Sequence, residues 1–69
     1  MEMTAVESQH LKAIGYNGIT LRVEFKSGAV WNYDGVPDWK HKGLMESPSK
    51  GRYFRREIKG HYQATKVSG

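Results

Sequence analysis

Basic side chains are concentrated in the second half of the sequence, and their chemistry is the easiest to define. Residues 40–69 contain eight lysines and arginines against two glutamates, in a chain of 69 residues with a formal net charge of +4. Cationic groups at this density favour an anionic partner, most commonly nucleic acid, then a membrane surface or an acidic protein. The alternative is a solvated basic face that binds nothing.

Most of these cations belong to one predicted helix, over residues 50–62. Phe54, Ile58 and Tyr62 recur at every fourth position and define its apolar face. Four cations occupy the far side of the helix, and Lys50 precedes them in the first turn. We expect five cations to hold backbone phosphates: Lys50, Arg52, Arg55, Arg56 and Lys59.

The start of this helix, Ser49-Lys50-Gly51, has two interpretations. In the structural one, Ser49 caps the helix and Gly51 permits close packing. In the functional one, the free backbone N–H groups receive a phosphate. The motif alone is more typical of the first interpretation. Lys50 and Arg52 add support to the second, because cations in a first turn oppose the helix dipole unless an anion is bound there.

Two sets of aromatic residues are candidates for contacts with a partner. Trp31 and Tyr33 stand two apart on a predicted strand and share a face, an arrangement that either stacks nucleobases or fills the core. We expect Trp31 to belong to the core. Trp39 lies among charged residues, and with Lys40 and Lys42 it forms the alternative, protein-binding set.

The sequence does not predict catalysis or metal binding. Its three histidines, His10, His41 and His61, are far apart and lack a ligand spacing. Neither Ser47 nor Ser49 has a nucleophile-elbow pattern around it or a paired histidine to activate it. We therefore expect no enzyme activity, no metal and no cofactor.

The elements that position these residues begin with a predicted antiparallel meander. Residues 19–25 alternate apolar and polar without an error, which is typical of a strand with one buried face. Asn17-Gly18 predicts a type I′ hairpin turn to a partner strand over residues 10–16. Lys26-Ser27-Gly28 predicts a second turn, leading to a strand over residues 29–33.

Two helices are predicted after the meander. Pro37 favours a short first helix as far as Glu46, and Ser47-Pro48-Ser49 separates it from the basic helix. The fold class is therefore α+β, a three-stranded meander followed by two short helices (β-β-β-α-α). One domain spans residues 1–69, its ordered part covers about residues 10–62, and both ends are frayed.

Composition limits the class of protein further. The chain has no cysteine, which excludes disulfides and thiolate chemistry and favours a cytoplasmic location. Its apolar stretches run only a few residues, so we expect neither a membrane span nor a membrane partner. Neither feature indicates an oligomeric state.

The order and spacing of several short motifs resemble those of the KTSC domain family. They are Ile14-Gly15-Tyr16, Leu21-Arg22-Val23-Glu24-Phe25, Ser27-Gly28, Trp31-Asn32-Tyr33, Val36-Pro37, Ser49-Lys50-Gly51-Arg52-Tyr53-Phe54, Ile58 and Tyr62. The resemblance covers about residues 10–62, and Trp31-Asn32-Tyr33 stands where the family has Tyr-x-Tyr. The family occurs at the C-terminus of some lysyl-tRNA synthetases and as free-standing proteins of bacteria and phages.

The residues and the resemblance together predict a non-enzymatic module that binds nucleic acid, with RNA favoured. Its basic helix contacts phosphates, and Trp31 and Tyr33 are the stacking candidates. The alternative is a small adaptor or phage-encoded modulator that binds an acidic surface of a host protein through Trp39, Lys40 and Lys42.

Overall fold

A five-stranded antiparallel sheet carries two short helices and a π-helical turn on one face. The computed structural model describes all residues, Met1–Gly69. The strands lie side by side in chain order: β1 (Met3–Ala5), β2 (Leu11–Tyr16), β3 (Thr20–Phe25), β4 (Val30–Asp34) and β5 (Gln63–Ser68). Between β4 and β5 the chain forms α1 (Asp38–Glu46), α2 (Lys50–Tyr53) and the π-helical turn (Phe54–Ile58). The α+β class is confirmed, whereas the three-stranded sheet and the β-β-β-α-α order were wrong.

The central three strands follow the predicted meander. Leu21 and Val23 on β3 are fully buried, and Leu21 pairs with Tyr33 while Val23 pairs with Trp31 across the β3–β4 ladder. Paired residues of antiparallel strands point to the same face, so Trp31 and Tyr33 face the helices. The alternation over β3 therefore predicted the buried face of the sheet.

The turn between β2 and β3 differs from the predicted type I′ form. Gly18 has a φ of +97°, but no residue other than glycine has a positive φ, so Asn17 does not adopt the conformation that this turn type needs. The side-chain oxygen of Asn17 instead accepts hydrogen bonds from the backbone N–H groups of Ile19 (3.0 Å) and Thr20 (2.7 Å). A three-residue loop stabilised by the Asn17 side chain thus joins the strands.

Both chain ends, expected to be frayed, are edge strands. β1 pairs with β2 from Met3↔Gly15 to Ala5↔Ala13, and β5 pairs with β4 from Val30↔Ser68 to Asp34↔Gln63. All six residues of β5 are exposed, so backbone hydrogen bonding rather than side-chain burial holds this strand. The expected boundaries of the ordered part, about residues 10–62, therefore exclude two strands of the sheet.

The basic segment is shorter and less regular than the predicted helix over residues 50–62. It consists of the single turn α2 and the π-helical turn, which is closed by a bond from the Lys59 N–H to the Phe54 carbonyl at 2.9 Å. Gly60 then reverses the chain with a φ of +83°. Tyr62 is consequently outside the helix, although it still packs against the core.

The core joins the inner face of the sheet to both helical segments. Its buried residues are Leu11, Ile14, Leu21, Val23, Tyr33, Val36, Leu44, Phe54 and Ile58. The Phe54 ring meets the rings of Phe25 and Tyr33 edge to face, at centroid distances of 5.4 and 5.2 Å. Phe54 thereby fixes the π-helical turn, and the cations on it, against the sheet.

None of the helices is long and apolar enough to cross a membrane.

Candidate nucleic-acid interface

The basic segment and the β1–β2 connection enclose a polar cleft, which we call the cationic cleft. Its volume is about 590 Å³, within the usual range for ligand sites. No hydrophobic residue lines it; the lining is Glu7, Ser8, Gln9, His10, Pro48, Ser49, Lys50, Gly51, Arg52 and Arg55. Three permanent cations thus face one carboxylate in this cleft, and its balance of charge favours an anion.

The two walls of the cationic cleft approach each other closely at Gly51. A Cβ atom at this position would lie 3.6 Å from both His10 Cδ2 and Ser8 Oγ. The Ser8 hydroxyl oxygen accepts hydrogen bonds from the N–H groups of His10 (3.3 Å) and Leu11 (3.4 Å), which fixes the opposite wall. The absence of a side chain at Gly51 therefore leaves the floor of the cleft open between the basic segment and the β1–β2 connection.

Ser49 and Lys50, the candidates for phosphate binding at the start of the basic segment, both line the cleft, but their local structure differs from the prediction. Ser49 occupies the cap position of α2 without making a side-chain capping hydrogen bond. The Lys50 ammonium donates to the Ser47 carbonyl at 3.2 Å, which leaves its other two N–H donors available for an anion. Since α2 is a single turn, the helix dipole adds little, and the cleft depends on side-chain charge.

Arg56 differs from its neighbour Arg55 in its surroundings. The Arg56 Nε atom donates to Glu57 at 3.0 Å, and its guanidinium lies 5.9 Å from the centre of the Tyr53 ring. Arg55 makes no ion pair and lines the cationic cleft. The predicted basic face is therefore divided: Arg55 lines the cationic cleft, whereas Arg56 lies outside it.

Glu57 joins the π-helical turn to α1 through a second ion pair. Lys40 Nζ donates to Glu57 Oε1 at 3.0 Å, and only 13% of the Lys40 side chain is exposed. This hydrogen bond raises the pKa of Lys40 above its ordinary value. The hydrogen bonds from Lys40 and Arg56 lower the pKa of Glu57.

The Glu57 ion pairs should make stability depend on pH. Because the carboxylate has a lower pKa when folded, its contribution is complete above the ordinary glutamate value of 4.5 and is lost as the pH falls through the lowered pKa. Glu57→Gln should therefore lower the urea midpoint at neutral pH, and the difference from the parent should vanish in acid. Glu46→Gln is the control, since Glu46 is exposed and makes no ion pair. A difference for Glu57→Gln that is constant across pH would contradict this account.

A second depression, which we call the aromatic groove, lies between β4, β5 and the π-helical turn. Its volume is about 290 Å³, and it is lined by Phe25, Trp31, Tyr33, Phe54, Lys59, Gly60 and Ala64. Trp31 is half-buried, whereas Tyr33 is only 5% exposed and burial raises its pKa. Only Trp31 of the two stacking candidates therefore combines an accessible surface with a fixed position. The expectation that Trp31 belongs to the core is only partly correct, because Trp31 packs against the core but keeps an accessible surface.

The alternative protein-binding residues are on α1. Trp39 is 66% exposed, and Lys42 is also exposed. Lys40 lies 4.9 Å from the centre of the Trp39 ring, but its ammonium is held by Glu57. Trp39 and Lys42 are thus the accessible members of this set.

The sequence did not indicate the β1–β2 wall of the cleft or the floor of the aromatic groove. Ser8 and His10 reach the cleft because β1 pairs with β2, and no local sequence motif indicates this pairing. Phe25 and Phe54 were recognised as apolar, but a periodic pattern cannot show that they also line an open groove. The structure brings no group of three metal-binding side chains together.

The fold and the cleft define a small α+β domain with one strongly basic side, and comparison places it in a family. The sequence pattern of the KTSC domain family matches residues 7–62. The chain belongs to the KTSC domain family.

Relatives occur both as free-standing proteins and as part of a larger enzyme. An uncharacterized protein of Stutzerimonas stutzeri is 36% identical, covering 97% of this chain and 99% of its own length. A lysine–tRNA ligase of Nostoc sp. is 38% identical over 90% of this chain, which corresponds to 11% of the ligase. The crystal structure of a KTSC domain protein from Yersinia pestis superposes with a TM-score of 0.91 at 33% identity, covering 97% of each chain.

Proposed function

We propose that this protein is a non-enzymatic RNA-binding module that holds backbone phosphates in the cationic cleft. The observation that carries the proposal is the convergence of Lys50, Arg52 and Arg55 on one polar cleft. Lys59, on the aromatic groove, adds a fourth cation on the same side. Phosphate contacts of this kind supply most of the affinity in sequence-independent nucleic-acid binding.

The charge pattern supports an extended anion more than a single small one. Arg52, Arg55 and Lys59 are all exposed and form no ion pair, so their charges are directed to solvent. A polyanion can engage all of them at once, whereas one phosphate reaches only the nearest. The match to lysine–tRNA ligases agrees with an RNA partner, because the whole enzyme acts on a tRNA.

A second candidate function is binding to an acidic surface of a host protein. The exposure of Trp39, at 66%, is the observation that favours it, because an exposed tryptophan beside a cation is a common anchor at protein interfaces. This candidate uses α1 rather than the cationic cleft. The two functions therefore depend on different residues.

The experiment that separates them compares RNA with an acidic polypeptide. Fluorescence anisotropy at low salt should show binding to labelled single-stranded RNA and much weaker binding to labelled polyglutamate, because phosphates match the spaced cations of the cleft. The ratio of nucleic-acid absorbance to protein absorbance in the purified sample should also fall after a high-salt wash, because copurified RNA is released. Failure to bind any RNA at low salt would overturn the proposal. Tight polyglutamate binding that is lost in Trp39→Ala would favour the second candidate.

A further inference from the structure

The cationic cleft and the aromatic groove are two ends of one continuous depression. A smaller pocket lies between them and shares His10, Gly51 and Arg55 with the cleft. The same pocket shares Phe25, Phe54 and Lys59 with the aromatic groove. One extended ligand can therefore contact the cations of the cleft and the aromatic surface of Trp31 together.

We propose that this depression binds a single-stranded segment of RNA, with phosphates in the cationic cleft and an unstacked base against Trp31. The inference rests on the proposed function and specifies the form of nucleic acid that the site accepts. Trp31 is the residue that contacts the base, and Tyr33 and Phe54 form the apolar floor beneath the base.

The surroundings of Trp31 favour a base over an apolar side chain of a protein partner. Lys59 lines the same groove, and Lys66 on β5 stands directly opposite Trp31 in the β4–β5 ladder. An aromatic surface with cations nearby suits a planar base that is flanked by phosphates. An apolar peptide would gain nothing from either lysine.

The recessed position of Trp31 selects for a single strand. Trp31 is half-buried, and the groove floor is formed by Tyr33 and Phe54, each 5% exposed. A base in a duplex is paired and stacked, so its flat face cannot enter a depression in another molecule. A base in a single strand has no pairing to lose and rotates out of its stack at a lower cost than a base in a duplex, and stacking on an aromatic side chain offsets that cost.

The test uses Trp31 as its own reporter. Trp39→Phe removes the only other tryptophan, which is exposed on α1 and lies outside the groove. The probes are a single-stranded RNA of about ten nucleotides and an abasic strand of equal length that keeps the sugars and phosphates. We expect the RNA to quench Trp31 fluorescence and to bind at least fivefold more tightly than the abasic strand, since only the RNA can stack a base on the ring.

The outcomes separate this inference from the proposed function. Equal affinity for the two strands, with unchanged Trp31 fluorescence, would overturn base binding and leave the phosphate cleft intact. Failure of both strands to bind would overturn the proposed function together with this inference. A duplex of the same sequence should bind at least fivefold more weakly than the single strand, and equal affinity for the duplex would contradict the inference. Trp31→Phe keeps an aromatic ring and should retain part of the preference for base-bearing RNA.

Discussion

The combined variant Arg52→Gln, Arg55→Gln and Lys59→Gln should bind single-stranded RNA at least tenfold more weakly than the parent protein. These side chains are exposed and make no ion pair, so their charges are free to meet phosphates. Tenfold corresponds to about 1.4 kcal/mol, which is less than the usual value of a single hydrogen bond to a charged group. Glutamine is a good helix former, so we expect the fold to persist.

The matched control for this variant changes the same number of charges elsewhere. Lys12, Lys26 and Lys42 are exposed and line neither the cationic cleft nor the aromatic groove, and the ion pair from Lys12 to Glu24 is long, at 3.8 Å. Their replacement by glutamine lowers the net charge equally and should reduce RNA affinity by less than threefold through long-range attraction alone. Equal losses in the two variants, measured by fluorescence anisotropy, would show that net charge rather than the cleft determines binding.

Phe54→Ala should cause the largest loss of stability, about 3–5 kcal/mol, as expected for deletion of a buried aromatic side chain. Phe54 is 5% exposed and contacts the rings of Phe25 and Tyr33. A domain of this length has a total stability of about 3–10 kcal/mol, so the expected loss is a large fraction of the total. Urea unfolding followed by far-ultraviolet circular dichroism measures the loss.

Ile19→Ala is the control for Phe54→Ala. Ile19 is also a large apolar residue, but it is 67% exposed and lies in the loop between β2 and β3. Its replacement should change the free energy of unfolding by no more than about 0.5 kcal/mol, as is usual for surface positions. A Phe54→Ala variant as stable as the parent would contradict the assignment of Phe54 as the residue that fixes the basic segment to the sheet.

The sequence predicted the elements whose side chains alternate between core and solvent. Leu21 and Val23 on β3 are buried in period two, and the glycine turns on either side of this strand stand where the sequence placed them. β5 gave no such signal because all its residues are exposed. Its stability comes from backbone pairing with β4, which side-chain patterns do not report.

The basic segment shows a different limit of sequence reasoning. Phe54 and Ile58 are spaced for an α-helix, but the same spacing also buries both in a π-helical turn, so the pattern could not distinguish the two. Gly60 was a usable signal for the end of the helix, since glycine commonly follows a last helical turn. The prediction that the helix continues to Tyr62 did not treat this glycine as a helix end.

The sequence predicted the positive charge of the candidate site but not its shape. Lys50, Arg52 and Arg55 lie in the cationic cleft, whereas Arg56 is paired with Glu57. The two adjacent arginines have different surroundings because the π-helical turn directs them to different surfaces. The continuity of the cleft with the groove at Trp31 likewise depends on tertiary packing and has no counterpart in the sequence.

The salt dependence of RNA binding in two single variants tests the central claim most directly. Each phosphate contact on a single strand contributes about −0.7 to the slope of log affinity against log salt, so four contacts predict a slope of about −3. Arg55→Gln should reduce the slope to about −2 because it removes one contact. Arg56→Gln makes the same change in charge at the adjacent residue and should leave the slope at about −3, because this arginine is paired with Glu57. Equal slopes for the two variants would contradict the assignment of phosphate binding to the cationic cleft.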